Sequence, residues 1–201
     1  MIRILLAEDQ GMVRGALAAL LSLESDMDIV AEVGRGDEVV SAARASSPDI
    51  ALLDIEMPGM DGLAATALLR DELPQVKVII LTTFGRTGYL RRAMDNGASG
   101  FLMKDAPATE LARAIRQVLA GGRAVDSNLA IAALSEGGSP LSVREREVLI
   151  EAKRGASIAE IASQLFLSQG TVRNHLSAAI HKLDARNRMD AVMIAEERGW
   201  L

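Results

Sequence analysis

Residues 1–121 are governed by an alternation. Short, continuously apolar runs take turns with amphipathic stretches at even spacing. Ile2–Ala7, Ile29–Val33, Ile50–Leu53, Val76–Leu81 and Gly100–Met103 read as strands. Val13–Leu23, Asp37–Ala45, Gly62–Leu69, Gly88–Asn96 and Thr109–Ala120 read as helices. Strands apolar on both sides belong to a parallel sheet covered by helices on both faces. Residues 1–121 are therefore expected to form a doubly wound α/β domain with a five-stranded parallel sheet. A site in such a fold lies at the carboxyl ends of the strands.

The pattern stops after residue 121. Gly121-Gly122 and Gly137-Gly138-Ser139-Pro140 bracket a short piece of helical character, Ser127–Leu134, and residues 122–139 read as a linker. Residues 140–201 show only helical periodicity, in Val143–Ala152, Ile158–Leu165, Gly170–Leu183 and Met189–Arg198. The expectation is a second, all-α domain of four helices.

Composition narrows the function. Without cysteine there is no disulfide framework and no thiolate metal site. The apolar runs are too short for a bilayer, and the first ends in acid too soon for a signal peptide, so a cytoplasmic protein without a membrane partner is expected. The net charge of −5 speaks against general nucleic-acid binding, but residues 168–188 hold Arg173, Lys182, Arg186 and Arg188 against Asp184 alone. With aromatic residues at 2%, stacking on single-stranded bases is disfavoured.

Four strand ends carry polar residues: Glu8-Asp9 after the first, Asp54 after the third, Thr82 at the fourth and Lys104 after the fifth. Singly, each has an ordinary explanation, since acids cap helices, lysines are solvated and threonines pack. Together they converge on one edge of the sheet. Gathered carboxylates need a cation, and oxygen-only ligation suits Mg²⁺. A lysine and a hydroxyl beside it would bind phosphoryl oxygens, leaving one carboxylate as nucleophile. Asp54, ending the buried run ALLD before the turn IEMPGMDG, is the central candidate.

The segments AEDQ (7–10), LLDIEMPGMDG (52–62), LTT (81–83) and GFLMKD (100–105) resemble the receiver domain of two-component response regulators. The resemblance implies that Asp54 accepts a phosphoryl group from a sensor histidine kinase. It implies a Mg²⁺ site of Glu8, Asp9, Asp54 and the backbone carbonyl of Glu56. Thr82 and Lys104 would bind phosphoryl oxygens, and Thr83 would control access. Phe101 matches the aromatic switch position, although a buried phenylalanine serves equally well as core.

The second domain reads as a helix-turn-helix in residues 158–183, with Ala162 at the close approach of two helices and Ser168 capping the second. Gln169, Thr171, Arg173, Asn174 and Ser177 would face outward, Arg and Asn being the natural readers of G and A edges. Thr171, Lys182, Arg186 and Arg188 would meet phosphates. Together with LSVREREVL (141–149) and KLDARNRMDAV (182–192), this domain is similar to the LuxR-type effector domain, and the whole chain to the NarL/FixJ response regulators. Within that subfamily the AEDQ start, ILTTF, VRN and the GW ending are similar to regulators of membrane-lipid desaturation and envelope stress. This likeness implies homodimerisation on phosphorylation, with promoter DNA and RNA polymerase as partners. Ala16–Leu21, apolar almost all round, would pair receivers together with the helix Glu110–Leu119. Two other readings compete: a Mg²⁺ phosphohydrolase of the haloacid-dehalogenase type, which wants a second Asp where Glu56 stands, and a DNA binder that works without phosphorylation.

Overall fold

The computed structural model describes residues 1–83, 85–135 and 138–201. Gly137, in the expected linker, and Phe84, in the ILTTF stretch, lie outside the described residues. The chain forms two compact units, residues 1–85 with 90–131, and residues 132–201 with 86–89. No described helix is long and apolar enough to cross a membrane.

The first unit alternates β1 (Ile2–Ala7), α1 (Gly11–Leu21), β2 (Met27–Val33), α2 (Val39–Ser46), β3 (Ile50–Asp54), α3 (Gly62–Glu72), β4 (Lys77–Thr82), α4 (Thr87–Asp95, in this unit from Leu90 on), β5 (Gly100–Met103) and α5 (Ala108–Leu119). A sixth strand, β6 (Ala124–Val125), falls in the stretch that reads as linker. The sheet is parallel throughout, in the order β2-β1-β3-β4-β5-β6. Two residues are too few to show a period. They become a strand because β5 offers an open edge, where Ala124 and Val125 register with Gly100 and Phe101. Helix α6 (Ser127–Ser135) follows.

Strand side chains alternate between two buried faces, as a covered parallel sheet requires. Ile4, Leu6, Ile50, Leu52, Ile79 and Leu81 pack with Leu21 of α1 and Leu111, Ile115 and Val118 of α5. Leu5, Ala51, Leu53, Ile80 and Phe101, pointing the other way, are just as buried.

The second unit holds α7 (Val143–Lys153), α8 (Ile158–Gln164), α9 (Gln169–Lys182) and α10 (Arg188–Glu197). Each begins on a side-chain cap. Ser142 with Glu145, and Ser157 with Glu160, form reciprocal capping boxes. Ser168 accepts from Thr171 N, and Asn187 from Met189 N and Asp190 N. The helices close on Val148, Leu149, Ile161, Val172, Leu176 and Val192.

Candidate phosphoryl and DNA sites

Register builds the first site. Ala7 pairs with Leu53, Asp54 with Leu81, and Thr82 with Met103. Glu8, Asp54, Thr82 and Lys104 consequently step along the carboxyl edge of four adjacent strands. Strand order reverses between β1 and β3, which opens the crevice there. Carboxylate oxygens of Glu8, Asp9 and Asp54 lie within 4.8 Å of one another. Glu8 and Asp54 are buried and Asp9 is exposed, so the group opens outward through Asp9.

Lys104 Nζ lies 2.5 Å from Glu8 and 2.9 Å from Asp54, with all three side chains buried. Burial pushes the Glu8 carboxyl above the usual carboxylate range, against the pull of Lys104 and with help from the charge on Asp54. Burial would lower the ammonium of Lys104, but hydrogen bonds to Glu8 and Asp54 outweigh it and hold it above its ordinary value. Three carboxylates thus face one ammonium, and two negative charges go uncompensated. A donor set of oxygens alone, with that surplus, fits a hard dication.

The remaining expected residues fall around this centre. Thr82 is buried, and its carbonyl accepts from Lys104 N at 2.8 Å. Thr83 is exposed beside it, and the side chain of Glu56 is exposed two residues past Asp54. Phe101 is fully buried in β5, opposite Ile80.

Two contributors carry no signal in the sequence. Arg14 donates to the Glu8 carbonyl at 2.5 Å and reaches Glu32 at 3.7 Å, pinning the loop that carries Glu8 and Asp9. Gly62 is obligatory, because a β-carbon there would stand 1.9 Å from the Asp54 carbonyl oxygen. The PGMDG segment signals a turn, but nothing in it announces a contact back to residue 54.

In the second unit, α8 and α9 form the helix-turn-helix. Gln169, Arg173, Asn174 and Ser177 are exposed at helical spacing, opposite the buried Val172, Leu176 and Ala179. His175 is half-buried. Thr171 is half-buried, its hydroxyl 2.8 Å from that of Ser168. The basic residues assigned to phosphates are differently placed. Lys182 is gripped by the buried Glu145 at 2.7 and 2.9 Å instead of standing free. Arg186 makes a bidentate pair with Asp190, and Arg188 donates to the Ala156 carbonyl at 3.4 Å.

Residues 4–116 match the response regulator receiver domain, and residues 139–195 match the bacterial regulatory proteins of the luxR family. The chain is a two-component response regulator of the LuxR/NarL family. It is 45% identical over its full length, and the relative's, to the uncharacterized transcriptional regulatory protein YvfU of Bacillus subtilis. To the transcriptional regulatory protein DesR of the same organism it is 44% identical over 200 residues, covering 100% of this chain and 99% of that one. Among solved structures it is similar to the response regulator ChrA of a heme-sensing two-component system, at 32% identity and a TM-score of 0.59, covering 100% of this chain and 98% of that one. This response regulator accordingly has the DNA-binding unit of a transcription regulator, and its acidic cluster occupies the pocket in which receiver domains bind Mg²⁺.

Proposed function

We propose that this response regulator is switched by phosphorylation of Asp54. The observation that carries the reading is a buried carboxylate at the centre of the strand-end cleft, held between an acidic pair and one buried lysine. An Asp54 oxygen attacks the phosphorus of a phosphohistidine on a sensor histidine kinase; the P–N bond breaks and the imidazole leaves. Glu8, Asp9, Asp54 and the Glu56 carbonyl hold Mg²⁺, which supplies charge neutralisation for the phosphoryl oxygens. Lys104 and Thr82 bind those oxygens, Thr83 flanks the entry, and Phe101 is the switch aromatic that responds when Thr82 moves toward the phosphoryl group. A covalent charge at Asp54 can only select between states that differ in contact with it. Lys104, now shared between Glu8 and Asp54, is the contact that must change.

The selected state pairs two receivers. On α1 the residues Met12, Gly15, Ala16, Ala19 and Leu20 are exposed and, with Leu23 just past its end, offer an uncharged surface. Leu21 is core and Ala18 packs against it, so the pairing surface is this outer stripe with the neighbouring α5. Pairing raises the effective concentration of two DNA-binding units on promoter DNA. Gln169, Arg173, Asn174 and Ser177 read base edges, while Thr171, Arg186 and Arg188 meet phosphates. Lys182 serves the fold. The reading places the protein in the cytoplasm. From the likeness of its motifs, it makes membrane-lipid or envelope-stress genes the targets.

The deciding experiment is the intact-protein mass after incubation with acetyl phosphate and Mg²⁺. A phosphoryl adduct is expected on the wild type and none on Asp54→Asn. No adduct on the wild type, or equal adducts on both, overturns the reading and favours phosphorylation-independent DNA binding.

A further inference from the structure

We propose that the junction between β2 and α2, residues 33–37, is the positioning element of the magnesium site. It fixes the Glu56 carbonyl relative to Glu8 and Asp9, with Gly36 and the Arg35–Asp37 pair as its positioning residues. The inference rests on the reading of the strand-end cleft as a Mg²⁺ site, and it adds residues outside the expected ligand set.

Of strands β1 to β5, β2 alone contributes no side chain to the cleft. It stands at the sheet edge, next to β1 and two places from β3. Its carboxyl end nevertheless bonds to both loops expected to hold the metal. Glu8 N donates to the Val33 carbonyl at 3.1 Å, and Gly36 N donates to the Pro58 carbonyl at 3.2 Å. One short stretch thus ties the Glu8–Asp9 loop to the segment that follows Asp54.

The second bond matters because that segment has so little else. Its two ends are fixed: Ile55 N donates to Asp54 Oδ1 at 2.8 Å, and Gly62 N to the Ile55 carbonyl at 2.9 Å. Between them, among the described residues, the bond from Gly36 is the one hydrogen bond that residues 56–60 make. Of these five residues, Met57 alone is buried. The turn that carries the Glu56 carbonyl is therefore held from outside.

Packing supplies the rest of the hold. A β-carbon on Gly36 would stand 1.9 Å from the Met60 carbonyl oxygen, so the two loops meet backbone to backbone. Arg35 grips Asp37 through two bonds of 3.0 and 2.9 Å. The pair lies across Gly59, where a β-carbon would come within 2.7 Å of Arg35 Nη2. An exposed ion pair contributes little to stability. Laid over Gly59, this one closes the turn.

The identity of the ion makes the role testable. Mg²⁺ demands near-ideal octahedral geometry, whereas Ca²⁺ accepts a flexible one. A carbonyl moved slightly out of place is a defect for the first ion and tolerable for the second. Residues that orient ligands from outside typically carry about 10–100-fold in metal affinity. The junction should thus act on the choice between the two ions, which a purely structural role would leave alone.

The test uses the full chain without a phosphodonor. Dissociation constants are read from the dependence of the melting midpoint on MgCl₂ and on CaCl₂ at constant ionic strength. Gly36→Ala should raise the Kd for Mg²⁺ about tenfold and that for Ca²⁺ less than about threefold. Arg35→Gln combined with Asp37→Asn keeps the net charge and alters exposed side chains. It should raise the Mg²⁺ value about fivefold and the Ca²⁺ value less than about twofold. Val118→Ala, on the buried face of α5, should lower the midpoint and change neither constant. Wild-type Mg²⁺ affinity in Gly36→Ala overturns the proposal. Equal losses for both ions overturn it too, and assign the junction to the fold. Where Gly36→Ala does not fold, the double variant decides alone by the same two criteria. A wild type whose midpoint ignores Mg²⁺ removes the reading of the cleft, and this inference with it.

Discussion

Lys182 Nζ stands 2.7 Å from Oε2 and 2.9 Å from Oε1 of Glu145, which joins the last turn of α9 to the first turn of α7. The same carboxylate accepts from Ser142 N at 2.7 Å to close the cap of α7. One buried acid therefore both starts a helix and holds the far end of the second helix of the helix-turn-helix.

Lys182→Met tests that role against phosphate binding. Glu145 would be left buried without its cation, but Lys182 is partly exposed, so the loss is about 1–2 kcal/mol and not that of a fully buried pair. The dependence of DNA affinity on salt should keep its slope. A phosphate contact would instead reduce that slope by about one. Urea denaturation and fluorescence anisotropy at several salt concentrations separate the two.

The same pair gives a pH dependence. Burial tends to raise the Glu145 carboxyl, but Lys182 and Ser142 outweigh it and hold it below the usual range. A depressed carboxylate contributes stability that is present above its unfolded value and lost as pH falls through its folded value. Asp190, held to about 2 by Arg186, acts in the same direction at lower pH. Urea midpoints of the wild type and Glu145→Gln should differ most at neutral pH and converge as pH falls below about 4.5.

Lys104→Met should expose the charge surplus of the receiver. Glu8 and Asp54 lose the ammonium 2.5 and 2.9 Å away, at a cost of about 3 kcal/mol in EDTA. Magnesium at a hundred times its Kd should return about 2.7 kcal/mol. Adding Asp9→Asn should blunt that recovery. Melting curves with and without MgCl₂ decide, and a magnesium-independent melting point argues against the metal site.

Gly62→Ala places a methyl group 1.9 Å from the Asp54 carbonyl oxygen. Backbone must move, at about 3 kcal/mol. Because it moves at residue 54, phosphorylation by acetyl phosphate should fall along with the melting temperature. Retention of the wild-type rate would mean that the turn relaxes away from the site.

Leu20→Glu puts a charge on the exposed stripe of α1, where substitution should change stability by no more than about 0.5 kcal/mol. Phosphorylation should proceed and dimerisation should not. Sedimentation of the acetyl-phosphate-treated protein reads this directly; a persistent dimer moves the pairing surface elsewhere.

The βα alternation is legible because burial on both faces writes itself into consecutive residues. Asp54 and Lys104 are legible because a strand end is a local position, and register then brings the ends together. The separate fates of Lys182 and Arg173 are not legible. Both are basic residues on one helix, and only the partner decides: the buried Glu145 for the first, and for the second a 3.4 Å bond to Gln169 on the same exposed face. Arg14 escapes for the same reason, since its bond is to a carbonyl rather than to a neighbour in a pattern.

Read alone, the chain dictates its elements, their order and the chemistry at the strand ends, all of which depend on period, caps and turn residues within a few positions. Folding in three dimensions settles which lysine is shared by Glu8 and Asp54, which is spent on Glu145, why residue 62 must be glycine, and that Ala124–Val125 is a strand. Those outcomes hang on distances between residues far apart in the chain. Such distances exist only once the backbone has closed on itself.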